Sequence, residues 1–314
     1  MNEIIALDHA QTEASLEPLE LLAAVRGALI AISSGRTSAP PRIAALAPNG
    51  ALGAMPAYVA GAGLGAKLIS IFAGPRAGRS VHGGLVALFD EDDGRPLAII
   101  EAGALTAART AAAATLSMSV IGDRPVHRIA IIGTGVQARA QVDLLAAVYA
   151  SVDLIVGGRS LSAAESLAAR HPSGSADSIE GAVQGADVVF CCTGAKEPVI
   201  SRSWLAPGAH VSSVGGSDGP ELDRATIADG ELYVEWTGAC LDPAPAGAHE
   251  LQGVPVERIR LLGAVLAAEP GTTVSGPDRL TVFKSTGHAA LDVAAAAAVY
   301  QFARRHGLGT VVPM

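Results

Sequence analysis

The sequence predicts an α/β protein in which a doubly wound parallel sheet follows an α+β domain built on an antiparallel sheet. Three observations predict it. An Ile-rich run, Ile129–Ile132, ends in Gly133-Thr134-Gly135-Val136-Gln137-Ala138 and opens into a helix-like segment, Arg139–Val148. Beyond it, buried-strand and helix patterns alternate, as in parallel sheets with helical crossovers. Before it lie more than a hundred residues of another character, with short apolar runs broken by Gly, Pro and Asp turns.

Taken in order, Ser15 is placed to cap a helix with Pro18 in its first turn. Leu22, Val25, Leu29 and Ile32 follow at helical spacing, and Gly35 ends it. Lys67–Phe72, Gly84–Phe89 and Leu97–Glu101 read as strands, and Asp90-Glu91-Asp92-Asp93-Gly94 reads as a hairpin turn between two of them. Leu105–Ser119 is an Ala-rich helix. Pro125 marks the entry to the central strand, His127–Ile132. Then come helix Val136–Tyr149, strand Val152–Val156, helix Ser162–Arg170, and strands at Asp187–Cys192, Ala209–Val214 and Glu231–Trp236. Leu291–Arg305 is a final helix.

Composition bounds the function. A chain of 314 residues, half of them hydrophobic, supports two domains with ample core. The formal charge of −8, without a basic stripe, argues against nucleic acid. The N-terminus carries acid and has no long apolar core, which argues against a secretory leader. Thr110–Ile121 and Val293–Phe302, the most apolar segments, read as too short for a bilayer, so no membrane association is expected and the chain reads as cytoplasmic. Cys191 and Cys192 are strand neighbours pointing to opposite faces, poor disulfide partners, and no Cys/His spacing suggests a metal.

The glycine motif fits a dinucleotide pyrophosphate. Gly133 permits the tight turn, Gly135 lets backbone approach phosphate, and Ala138 brings helix close to strand, with Thr134, Val136 and Gln137 between them. Counting twenty residues on from Gly133 nominates Asp153 for the ribose, but Asp153 begins its strand, whereas the ribose site lies at the carboxyl end. That end reads Val156-Gly157-Gly158-Arg159-Ser160. A guanidinium and a hydroxyl there suit a 2′-phosphate, so NADPH is the expected cofactor with NADH possible; a solvated loop arginine is the alternative. Thr193, Val214 and Gly215 follow later strands and are further candidate cofactor contacts.

Five segments together resemble the ornithine cyclodeaminase/μ-crystallin family: Gly65–Ser70, Gly84–Asp90, Leu105–Ala112, Ile132–Ala138 and Phe283–Gly287. The resemblance implies an N-terminal substrate and dimerisation domain (1–118 with a returning helix, 290–314) and a Rossmann domain (119–289), hence a homodimer. It implies that Lys67 and Arg109 face the substrate, with Arg42 a further carboxylate contact, and that Thr110 and Ser285 touch the cofactor. Fixed cations suit a small carboxylate, and a buried Lys can deliver a proton. His82 is either a polar site residue or a structural histidine. Where the cyclodeaminase and alanine dehydrogenase branches carry an Asp, this chain has Ser217, with Asp218 beside it. That departure points to the ketimine-reductase branch: NAD(P)H-dependent reduction of a small cyclic ketimine carboxylate such as Δ1-pyrroline-2-carboxylate or Δ1-piperideine-2-carboxylate. Ornithine cyclodeamination, alanine dehydrogenase-like amination of an open 2-oxo acid, reduction of an open-chain imino acid, and non-catalytic NADPH binding are the alternatives.

Overall fold

The computed structural model describes residues 3–73, 80–269 and 275–313, without the side chains of residues 73 and 80–82. The chain forms two compact units, Met1–Arg109 with His288–Met314, and Thr110–Gly287. The division falls inside one continuous helix, Ala102–Ser117, rather than at its end, where the sequence placed it.

In the first unit, strands β1 (Glu3–Leu7), β2 (Thr37–Ser38), β3 (Ile43–Ala47), β4 (Gly50–Val59), β5 (Gly63–Ala73), β6 (Ser80–Phe89) and β7 (Pro96–Glu101) join the C-terminal strand Thr310–Pro313 in one sheet. From β2 to β7 the pairing is antiparallel, with the Asp90–Gly94 turn joining β6 and β7. These strands are the antiparallel sheet that the sequence predicts, and one parallel neighbour, β1, makes the sheet as a whole mixed. β1 lies parallel to β7 and antiparallel to the C-terminal strand, a pairing between chain ends that no local pattern announces. Helix α1 (His9–Ala14) starts at Asp8, whose carboxylate and Gln11 form a reciprocal capping box. Helix α2 (Pro18–Ser33) is capped by Glu17, not Ser15; with Pro18 at its first position the helix starts there, and Ser15 closes α1 instead.

Helix α3 (Ala102–Ser117) leads into the second unit. With the turn after it, Ala102–Ile121 reaches the length and apolarity of a membrane span, contrary to expectation, but its most apolar 18-residue stretch is 78% buried inside the protein, as a core helix requires. Strands β8 (Arg128–Ile132), β9 (Asp153–Gly157), β10 (Gly174–Asp177), β11 (Val188–Cys191), β12 (His210–Ser213), β13 (Glu231–Val234), β14 (Ile259–Leu261) and β15 (Thr281–Lys284) form a wholly parallel sheet in the order β10-β9-β8-β11-β12-β15-β13-β14. The order reverses between β8 and β11, the switch point at which such sheets bind ligands. Register aligns Gly157, Ile132, Cys191, Ser213 and Lys284 as neighbours at the carboxyl ends. The loops after these strands therefore share one edge. Beneath them, Ile129–Ile132, Val188–Cys191 and Val282–Phe283 are fully buried, the continuous apolar strands expected of a sheet covered on both faces.

His210 ties α3 to this sheet. Its ring nitrogens lie 2.8 Å from Ser117 Oγ and 2.9 Å from Thr281 Oγ1, and burial lowers its pKa to about 3, so it is neutral. Because Ser117 donates to the Ala114 carbonyl, it accepts from Nε2–H, and Nδ1 accepts from Thr281.

Candidate active site

In the first unit, the inward face of β5 carries Gly65 and Lys67. A Cβ at Gly65 would meet the Ala87 carbonyl at 2.8 Å and the Val293 side chain at 3.0 Å, so glycine permits the C-terminal helix Ala289–His306 to lie close against the strand. That helix places Asp292 against Lys67 from β5 and Arg109 from α3. Arg109 Nε donates to Asp292 Oδ1 at 2.8 Å, and Lys67 Nζ lies 2.9 Å from Oδ2 as a close ion pair. All three are buried: Lys67 4% exposed, Arg109 5% and Asp292 0%.

A buried charge is tolerated only when paired. Burial lowers the Lys67 pKa most strongly; Asp292 opposes this, while the Arg109 and Arg42 cations add to it. For Asp292, burial pushes the carboxyl up but Arg109 and Lys67 together outweigh it, holding it below the usual range. His288, capping the helix through Nδ1, has its pKa lowered to about 4 by burial, against the pull of Asp292. Arg42 itself is exposed, ahead of β3, and its charge reaches both Lys67 and His288. Structure thus gathers Lys67, Arg109 and Arg42 and adds Asp292, which sequence reasoning missed. The side chain of His82 lies outside the described residues.

The second unit carries the glycine turn between β8 and helix α4 (Val136–Val148). Gly133 has φ +118°, and a Cβ there would meet the Cys192 carbonyl at 2.6 Å. Gly135 caps α4 without any side-chain bond, and a Cβ on it would meet nothing within 4 Å. Thr134, Gly135 and Val136 are exposed, Ala138 is fully buried, and Gln137 Oε1 is a buried acceptor with no hydrogen-bond partner. An uncapped helix N-terminus behind a side-chain-free cradle fits a pyrophosphate. Arg159 and Ser160 are exposed after β9, where Ser160 Oγ caps the next helix, Leu161–Ala168.

Thr193 and Gly215 stand on the loops after β11 and β12, both bonded to the carboxylate of Glu221, with half-buried Val214 between Ser213 and Gly215. Ser217 and Asp218 are exposed in the same glycine-rich loop. Ser285 Oγ is turned inward, donating to Glu235 Oε1 at 3.1 Å. Thr110 is buried on α3. Among the described residues, no three His, Cys, Asp or Glu side chains are grouped to hold a metal ion, and all three cysteines are free and buried.

Known proteins resemble this chain in sequence and in fold. The ornithine cyclodeaminase/mu-crystallin family model matches residues 2–307. The mouse (Mus musculus) ketimine reductase mu-crystallin is 32% identical over 80% of this chain and 80% of its own length. A Δ1-pyrroline-2-carboxylate reductase of Paracoccus denitrificans is 30% identical over 78% of this chain and 81% of its own. Among solved structures, Δ1-pyrroline-2-carboxylate reductase of Thermococcus litoralis, in complex with NADH and L-proline, superposes with a TM-score of 0.83 at 26% identity, covering 98% of this chain and 99% of that one. An archaeal alanine dehydrogenase dimer with bound NAD gives a TM-score of 0.85 at 26% identity over the full length of both chains. The chain belongs to the ornithine cyclodeaminase/mu-crystallin family.

Proposed function

We propose that this protein is an NAD(P)H-dependent reductase of small cyclic ketimine carboxylates, forming the L-amino acid. The observation that carries the reading is the buried Lys67–Asp292–Arg109 cluster, in a chain that also holds a dinucleotide cradle. Two fixed cations against one carboxylate leave net positive charge, which Arg42 increases, suited to a substrate carboxylate. A reduced nicotinamide, when bound, supplies the hydride for the C=N carbon. The imine nitrogen needs a proton. In this reading Lys67 gives it: its lowered pKa brings the ammonium nearer to neutral pH than an exposed lysine, and Asp292 helps it to remain charged. Relatives named for pyrroline-2-carboxylate and ketimine reduction support this substrate class. Ser217 in place of a carboxylate favours reduction over cyclodeamination.

NADPH is the preferred donor in this reading, because β9 ends in Arg159 and Ser160 rather than an acid. The test is spectrophotometric. Purified protein should consume NADPH with Δ1-pyrroline-2-carboxylate or Δ1-piperideine-2-carboxylate, and Arg159→Ala should narrow its preference over NADH. No imine-dependent loss of nicotinamide absorbance with either donor would refute the function. In this reading the protein acts as a homodimer through the first unit's sheet, whose β3 edge is apolar and exposed.

A further inference from the structure

At the carboxyl end of the parallel sheet lies a buried charge network outside the proposed chemistry. Glu221 is 0% exposed and accepts four hydrogen bonds. Oε1 takes the Thr193 backbone N–H at 2.6 Å and the Thr193 hydroxyl at 2.7 Å; Oε2 takes the Ser213 hydroxyl at 2.7 Å and the Gly215 N–H at 2.8 Å. Lys284, 2% exposed, donates to Ser213 Oγ at 2.8 Å and the Gly215 carbonyl at 2.9 Å, and lies 3.2 Å from Glu250 Oε1 and 4.0 Å from Glu221 Oε2. Glu250 Oε1 in turn accepts the Glu221 N–H at 2.8 Å.

One carboxylate thus joins two loops that are distant in sequence but adjacent at the strand ends. They are the loops after β11 and β12, one strand and two strands beyond the glycine turn of β8 in the sheet order. Close packing suppresses alternative side chains: a Cβ at Gly215 would meet the Thr193 carbonyl at 2.0 Å and Glu221 Oε1 at 2.6 Å. Four donors converge on two oxygens, so an amide cannot replace the carboxylate without turning its own N–H groups toward a donor. A network serving only the core would have no reason to hold two half-buried loops whose outer residues, Gly194 and Ser217, face solvent.

We propose that Glu221, with its charge balanced by Lys284, is a positioning residue for dinucleotide binding: it fixes the Thr193 and Gly215 backbones in the geometry that receives the cofactor. This rests on the dinucleotide reading of the second unit. Fluorescence titration of the full-length protein with NADPH and with NADH tests it, beside steady-state kinetics. Glu221→Gln should raise the dinucleotide Kd and KM about tenfold or more while the imine KM stays within about twofold. Ser213→Ala removes one donor to Glu221 and one acceptor from Lys284 with little change of volume, and should raise the same constants by a smaller factor, keeping the test open if Glu221→Gln does not fold. A lowered Tm with unchanged Kd and KM for the dinucleotide in both variants would make the network merely structural and overturn the proposal. Wild-type protein that binds neither NADPH nor NADH would instead overturn the cofactor reading, and this inference with it.

Discussion

Asp292 sets the charge of the proposed substrate site. Removing it would leave Lys67 and Arg109 as buried like charges, so Asp292→Asn should destabilise the fold by roughly 3–5 kcal/mol, the usual cost of breaking a buried pair. It should also move a titration. The carboxylate raises the Lys67 pKa, so its loss lowers it further. If the lysine ammonium is the proton donor, activity falls as pH rises through that pKa, and the alkaline limb of the kcat/KM profile shifts to lower pH in Asp292→Asn. An unshifted limb would remove Lys67 from proton transfer. Nothing in the sequence marks Asp292. A lone carboxylate in an Ala-rich helix reads as solvent-facing, and Arg109 lies 183 residues away along the chain. Lys67 and Arg109 were legible only through the family resemblance, because an isolated strand lysine or helix arginine is ordinarily a surface group.

The strand–turn–helix element was legible from local pattern alone, since its chemistry is backbone chemistry. Gly133 and Gly135 nevertheless serve different ends, and the structure separates them. At Gly133, φ is +118° and a Cβ would strike the Cys192 carbonyl at 2.6 Å, so Gly133→Ala should lower Tm as well as cofactor affinity. At Gly135 a Cβ meets nothing within 4 Å and the backbone is extended, so Gly135→Ala should fold with nearly the wild-type Tm. On the proposed reading, in which the pyrophosphate lies against this turn, the methyl would occupy its space and the NADPH Kd should rise about tenfold or more. Thermal melting beside NADPH titration reads both effects. Equal affinity in Gly135→Ala and wild type would mean that the pyrophosphate does not lie against this turn. The carboxylates beneath the neighbouring loops were not legible, because Glu221 acquires its partners only when β11, β12 and β15 align.

At the scale of the molecule, the first unit needs both chain ends, with β1 between β7 and the C-terminal strand, and Asp292 on the last helix. What the monomer leaves open is its other margin. All of β3, Ile43-Ala44-Ala45-Leu46-Ala47, is exposed, with Ile43 at 68% and Leu46 at 85%. Among the described residues it pairs only with β4, and nearby Leu52, Ile71 and Phe72 are also exposed. An uncharged apolar edge invites strand pairing or aggregation unless covered. A second copy is the cover that a closed two-fold assembly supplies, since one patch then meets itself. Light scattering should therefore find a dimer, and Leu46→Glu, which costs nothing inside the protomer because the side chain is already in solvent, should shift it toward monomer. Wild-type protein that stays monomeric at micromolar to millimolar concentration would leave this edge without its partner and exclude the homodimer.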